Sequence, residues 1–162
     1  MSTTAQSDSE QADSASPIVV GVDGSSTARL ALDWAIREAE VHGNPVVAIS
    51  AWELPAMAAG SPGFAFAAAD LQELADSCRK TLVAEIADAS MGHSSVQIEP
   101  RVVEGPPALA LIDASKHAAA LVTGSRGHGG FLGLLLGSVS QQCVTHAHCP
   151  VVVIHPRLAK PA

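Results

Sequence analysis

Four short apolar runs constrain what this chain can fold into: Pro17–Val22, Val46–Ala51, Ala119–Thr123 and Pro150–Ile154. Such runs suit parallel strands covered on both faces, which show continuous rather than alternating hydrophobicity. Helical signals separate them. Ser25 or Ser26 is a candidate N-cap for a helix over Thr27–His42. Its apolar stripe runs through Leu30, Ala31, Trp34, Ala35 and Ala39, interrupted at Glu38, and Gly43 and Pro45 end it. Asp70-x-x-Glu73 resembles a capping box, and Leu71, Leu74, Cys78, Leu82, Ile86 and Ala89 follow at helical spacing up to Gly92. A third strand, Val96–Val103, contains Pro100, whose missing N–H assigns it to a sheet edge. Pro106-Pro107 opens a further helix to about Ala118, and the last helix begins near Gly137-Ser138. The order β-α-β-α-β-α-β-α-β predicts a single α/β domain. Its sheet is open, parallel and five-stranded, with right-handed crossovers and helices on both faces.

The strand Ala119–Thr123 runs directly into Gly124-Ser125-Arg126-Gly127-His128-Gly129-Gly130, then an apolar turn, then the helix mouth at Gly137-Ser138. Exposed loop N–H groups and the orphan N–H groups of a first helical turn bind anions, most often phosphate. Glycines remove Cβ atoms where a ligand must approach the main chain. The stretch is not a P-loop, because no Gly-Lys-Ser/Thr follows, and it is not the dinucleotide fingerprint, because Leu132 stands where that pattern needs glycine or alanine. By itself it reads either as a tight turn or as a phosphate cradle.

The spacing Gly124-x2-Gly127-x9-Gly137-Ser138 resembles the ATP-binding signature of the universal stress protein family. The opening Ile18-Val19-Val20-Gly21-Val22-Asp23-Gly24-Ser25 and the closing Cys149-Pro150-Val151-Val152-Val153-Ile154 resemble the same family, so the likeness spans about residues 17–156. It implies a Rossmann-like, adenine nucleotide alpha hydrolase-like sheet of strand order 3-2-1-4-5. Strands one and four are then neighbours, and ligands sit beyond their carboxyl ends at the topological switch. The resemblance implies ATP-binding residues Gly21, Val22 and Asp23 after strand one, and Ala51 at the end of strand two, where the backbone would hold the adenine. It adds Thr123, Gly124, Ser125, Arg126, Gly127, His128, Gly129 and Gly130 after strand four, and Gly137, Ser138, Val139 and Ser140 at the helix mouth. Asp23 matches the family's nucleotide-contacting aspartate. A carboxylate there can accept from ribose hydroxyls or the adenine amino group, or reach Mg2+ together with phosphate oxygens. The alternative is a loop aspartate that caps the next helix. Arg126 and His128 flank Gly127 and can neutralise phosphate charge. The family usually has another basic residue at the second position, and histidine there makes the contact pH-sensitive.

The activity so implied is that of an ATP-binding regulatory stress-response protein whose occupancy biases its shape or partner surface, with slow or no hydrolysis. A true ATPase or nucleotidyl-transfer enzyme on the same fold is one alternative, and a ligand-free structural adaptor is another. No nucleophile–base–orienter set can be identified, so catalysis has little support.

Charge narrows the partners. The net charge of −7 argues against nucleic acid. Residues 1–113 carry five Lys/Arg and sixteen Asp/Glu, whereas 114–162 carry Lys116, Arg126, Arg157 and Lys160 and no acid. An anion site kept clear of carboxylates accounts for this asymmetry, and so does burial of the last segment as core. No apolar run approaches the ~18 residues of a membrane span. The polar, acidic start does not read as a signal peptide, and three scattered cysteines do not form a disulfide framework, so a cytoplasmic protein is expected. Cys143, His146, His148 and Cys149 suggest zinc, but closing four ligands without an intervening loop is sterically awkward. Histidines near the negative end of a helix are the simpler account.

Val151–Ile154 has no lysine, bulge signal or internal proline. At a sheet edge it is expected to pair with its own copy in a homodimer, the alternative being that residues 157–162 fold back over it. The connection from Trp52 to Asp70 is long, and Phe64 and Phe66 are expected to pack it down. Residues 1–16 read as a disordered acidic tail ahead of a domain over 17–156. Deleting residues 1–16 should leave the melting temperature nearly unchanged in a thermal scan, because no large apolar group is lost. A large drop would show that the tail is docked.

Overall fold

The computed structural model describes residues 15–53, 68–127 and 135–156. Most of the tail, the connection with Phe64 and Phe66, residues 128–134 and residues 157–162 lie outside this set. Five strands, β1 (Ile18–Gly21), β2 (Val46–Trp52), β3 (Ile98–Glu104), β4 (Ala120–Gly124) and β5 (Val151–Ile154), form one sheet. Their order is β3-β2-β1-β4-β5, and every neighbouring pair is parallel. Among the described residues four helices connect them: α1 (Ser26–His42), α2 (Ala68–Ala89), α3 (Pro107–Ala114) and α4 (Ser138–His146), with a 3-10 turn at Ser115–His117 after α3.

The order explains the layering. From β1 the chain moves outward to β2 and β3, then returns to the other side of β1 for β4 and β5. Right-handed crossovers running in opposite directions put their helices on opposite faces. Strand side chains divide accordingly. Val20, Val46, Ala48 and Val122 pack with Leu32 and Ile36 of α1 and Leu82 of α2. Val19, Val47, Ile49 and Leu121 pack with Leu111 of α3 and Cys143 of α4. Because both faces of β1, β2 and β4 are covered, their sequences are apolar without alternation.

Helix α1 is set mainly by packing. Leu32 and Ile36 are both 0% exposed, each worth about 1.5–3 kcal/mol of burial. The Ser25 cap, whose Oγ accepts from the Ala28 N–H at 3.2 Å, adds about 1 kcal/mol. The buried stripe therefore runs through Ala28, Ala31, Leu32, Ala35, Ile36 and Ala39. The expected stripe through Leu30 and Trp34 sits about one position off, and those two side chains lie on its partly buried margin. Gly43 closes the helix in the left-handed conformation at φ 71°.

Two other expectations are corrected. Asp70 does not cap α2, because that helix already begins at Ala68 and Asp70 stands within its first turn, beside the positive end of the dipole. Leu74 is 44% exposed, while Leu82, two turns on, is buried under the sheet.

Pro100 lies on an edge strand. Gln97 C=O accepts from Val46 N–H at 2.8 Å, and Gly105 N–H donates to Trp52 C=O at 2.9 Å. Odd-numbered residues of β3 therefore face β2, and Pro100 turns its donorless nitrogen to the open side. Among the described residues no helix is long and apolar enough to cross a membrane.

Candidate functional site

Strand order reverses between the parallel neighbours β1 and β4, and this leaves a cleft at the carboxyl edge of the sheet, with a cavity volume of ≈ 370 Å³. Gly21, Val22 and Asp23 border it from the β1 turn and Ala51 from the end of β2. Thr123, Gly124, Arg126 and Gly127 come from β4 and its loop, and Gly137, Ser138, Val139 and Ser140 from the mouth of α4. The sequence-predicted residues thus converge on one cleft from four parts of the chain. Ser125 does not border it, since its side chain is buried beneath the loop. His128, Gly129 and Gly130 lie outside the described residues.

The cleft has apolar and polar lining. Ile49, Pro107, Leu111 and Val139 supply apolar side chains. Sequence reading missed Ala28, Ile49, Pro107 and Leu111. Leu111 and Ile49 sit on core-facing periodicities, so nothing in their pattern separated a cleft wall from interior packing. The one available signal was Pro107, which marked a helix start at the same sheet edge.

Three backbone donors beside the cleft have no acceptor within their own helix. The N–H groups of Ser138, Val139 and Ser140 belong to the first turn of α4, where no intrahelical acceptor exists. The Gly137 N-cap offers no side chain to satisfy them. They carry the positive end of the helix dipole to the cleft. Gly137 N–H itself donates to the Ser125 carbonyl at 2.7 Å, tying the helix mouth to the β4 loop.

Asp23 crosses to the same loop. Its Oδ1 accepts from Ser25 N–H at 3.0 Å, which orders the turn into α1, and the cap itself is Ser25. A Cβ on Gly127 would run into Oδ2, the other oxygen of the Asp23 carboxylate. Arg126, the one cationic side chain among the described residues at the cleft, forms no ion pair with a described carboxylate. Gly124 borders the cleft and has a packing role besides: a Cβ there would meet the first turn of α1. Thr123 Oγ1 and Ser125 Oγ are buried hydroxyls without a described partner.

The cysteines and histidines of α4 and of the turn after it have structural roles. Cys143 is fully buried in the core, and burial pushes its thiol up to about 11. Burial also raises the Cys149 thiol, and His148 N–H donates to Ser115 Oγ at 2.9 Å. Among the described residues no three His, Cys, Asp or Glu side chains form a group able to hold a metal ion.

The sequence profile of the universal stress protein family matches residues 15–155. A universal stress protein of Mycolicibacterium smegmatis is 33% identical over 149 residues, covering 90% of this chain and 47% of that protein. The chain therefore spans about half the length of that relative. A universal stress protein solved in complex with cAMP superposes with TM-score 0.61 at 25% identity, covering 86% of this chain and 95% of the other. A universal stress protein from Archaeoglobus fulgidus in complex with dAMP superposes with TM-score 0.58 at 25% identity, covering 87% and 98%.

Proposed function

This chain belongs to the universal stress protein family, and we propose that it binds an adenine nucleotide, ATP with Mg2+, in the cleft above β1 and β4. The observation that carries this reading is the pairing of an apolar slot with a cluster of unspent N–H donors in one cavity. Ile49, Leu111 and Val139 suit a flat base, with the Ala51 backbone at its edge. The first-turn N–H groups of α4 and the Arg126 guanidinium suit phosphates. Asp23, which lines the cleft beside Gly127, reaches a ribose hydroxyl or shares Mg2+ with phosphate oxygens. Magnesium fits such a set because it binds through one or two carboxylates plus substrate phosphates. Structures of relatives with cAMP and dAMP support an adenine ligand.

Occupancy, rather than turnover, is the proposed output. Ligand ties the β4 loop to the mouth of α4, and that biases the shape or partner surface of a cytoplasmic stress-response protein. Hydrolysis is slow because the one carboxylate among the described lining residues, on Asp23, is assigned to the ribose or Mg2+, which leaves no described side chain as general base for an attacking water. Gly127→Glu would place bulk and negative charge against Asp23 and the phosphates. ATP affinity by calorimetry should fall at least ~tenfold, about 1.4 kcal/mol, with a native far-UV spectrum. Unchanged affinity in a folded variant would refute the site.

The proposed assembly is a homodimer through β5. Leu121 N–H and Ser125 N–H donate to the carbonyls of Pro150 (2.9 Å) and Ile154 (2.8 Å), so the N–H and C=O groups of Val151 and Val153 face the open edge. A two-fold partner strand would satisfy them. Light scattering should give twice the 16.5 kDa chain mass, and Val153→Asp should move it toward the single-chain value. One chain at every concentration would rule the dimer out.

A further inference from the structure

The β4 loop is gripped by hydroxyl groups from both faces of the sheet. Thr27, the second residue of α1, donates its hydroxyl to the Arg126 carbonyl. Ser140 of α4 donates its own to the Gly124 carbonyl at 2.6 Å. A trans peptide is planar, so a carbonyl and the following N–H point in opposite directions. Holding the Gly124 carbonyl toward Ser140 accordingly leaves the Ser125 N–H aimed at the Ile154 carbonyl, which it reaches at 2.8 Å. By the same rule, holding the Arg126 carbonyl toward α1 turns the Gly127 N–H away from α1. That nitrogen lies on the side of the α4 mouth, 3.8 Å from where a Cβ of Gly137 would stand.

Gly124 makes the grip of Thr27 possible. A Cβ there would stand 2.7 Å from both the carbonyl carbon and Oγ1 of Thr27, and 2.9 Å from the Ala28 nitrogen. Two of these are backbone atoms that cannot step aside. The missing Cβ thus admits the first turn of α1 against the end of β4. Thr27 is 6% exposed and does not border the cleft.

We infer that Thr27 is a positioning residue for the anion site: its hydroxyl, admitted by Gly124, fixes the Arg126–Gly127 peptide with the N–H toward a bound phosphate. With the hydroxyl gone, the peptide is free to rotate and present its carbonyl oxygen to the anion, which repels it. The inference rests on reading the cleft as a nucleotide site, and it adds a residue of the first helix that touches no ligand.

Calorimetry on the full chain with ATP and with adenosine tests it, because only ATP uses the phosphate end. Thr27→Val should weaken ATP at least ~fivefold, with adenosine within ~twofold of wild type, and Thr27→Ser should restore ATP binding to within ~twofold. Thr27→Ala, which brings no bulk against the Arg126 carbonyl, carries the same expectation, so a valine variant that fails to fold does not leave the point open. Wild-type ATP affinity in the folded valine or alanine variant would overturn the inference, as would equal losses for ATP and adenosine. A wild-type protein that binds neither ligand would overturn the reading of the cleft itself, before any variant is compared.

Discussion

Ile18, Val19 and Val20 of β1 pair in register with Ala120, Leu121 and Val122 of β4, and that pairing joins the two halves of the sheet. Both strands are central and nearly inaccessible to solvent. Their carboxyl ends place the glycine loop and the Asp23 turn of the candidate site. The chain leaves β1 toward α1 on one face, and the β4 loop leads to α4 on the other. No helix can cross over the gap between two departures in opposite directions, so a cleft remains. Its walls are the surrounding packing elements themselves: Ile49 from β2, Leu111 from α3 and Val139 from α4.

Within the cleft the polar chemistry is mostly backbone. The first-turn N–H groups of α4 are donors that the helix cannot use, and Gly137 leaves them uncapped. Side chains serve chiefly to aim the backbone. Ser140 and Thr27 hold carbonyls of the loop, and Asp23 orders its own turn while reaching Gly127. This division accounts for a site that is rich in glycine and small hydroxyl residues and carries little charge. All sixteen acidic residues of the chain precede residue 114, and of the described ones only Asp23 lines the cleft.

Much of this was legible in the sequence. The short apolar runs gave the parallel sheet because strands covered on both faces cannot alternate, and Pro100 located an edge because a missing donor is tolerable only there. The strand order came from the family resemblance rather than from periodicity, since hydrophobic pattern is silent about which buried strands are neighbours. The glycine loop and helix mouth were visible as a spacing. Roles decided by three-dimensional proximity were not visible. The missing Cβ of Gly124 accommodates α1, more than ninety positions earlier in the chain. Leu111 and Ile49 had apolar patterns identical to those of core residues. Capping of α2 was misplaced because Asp70-x-x-Glu73 also fits a first turn that has already begun.

On the proposed reading the cleft holds one adenine nucleotide per chain. Native mass spectrometry of the purified protein titrated with ATP, and in parallel with GTP, tests this. A single ATP per chain should add at low concentration, with no comparable occupancy by GTP, because the apolar slot and the Ala51 backbone read the base. Chains that stay unliganded with ATP in large excess, or that take up GTP equally well, would contradict it.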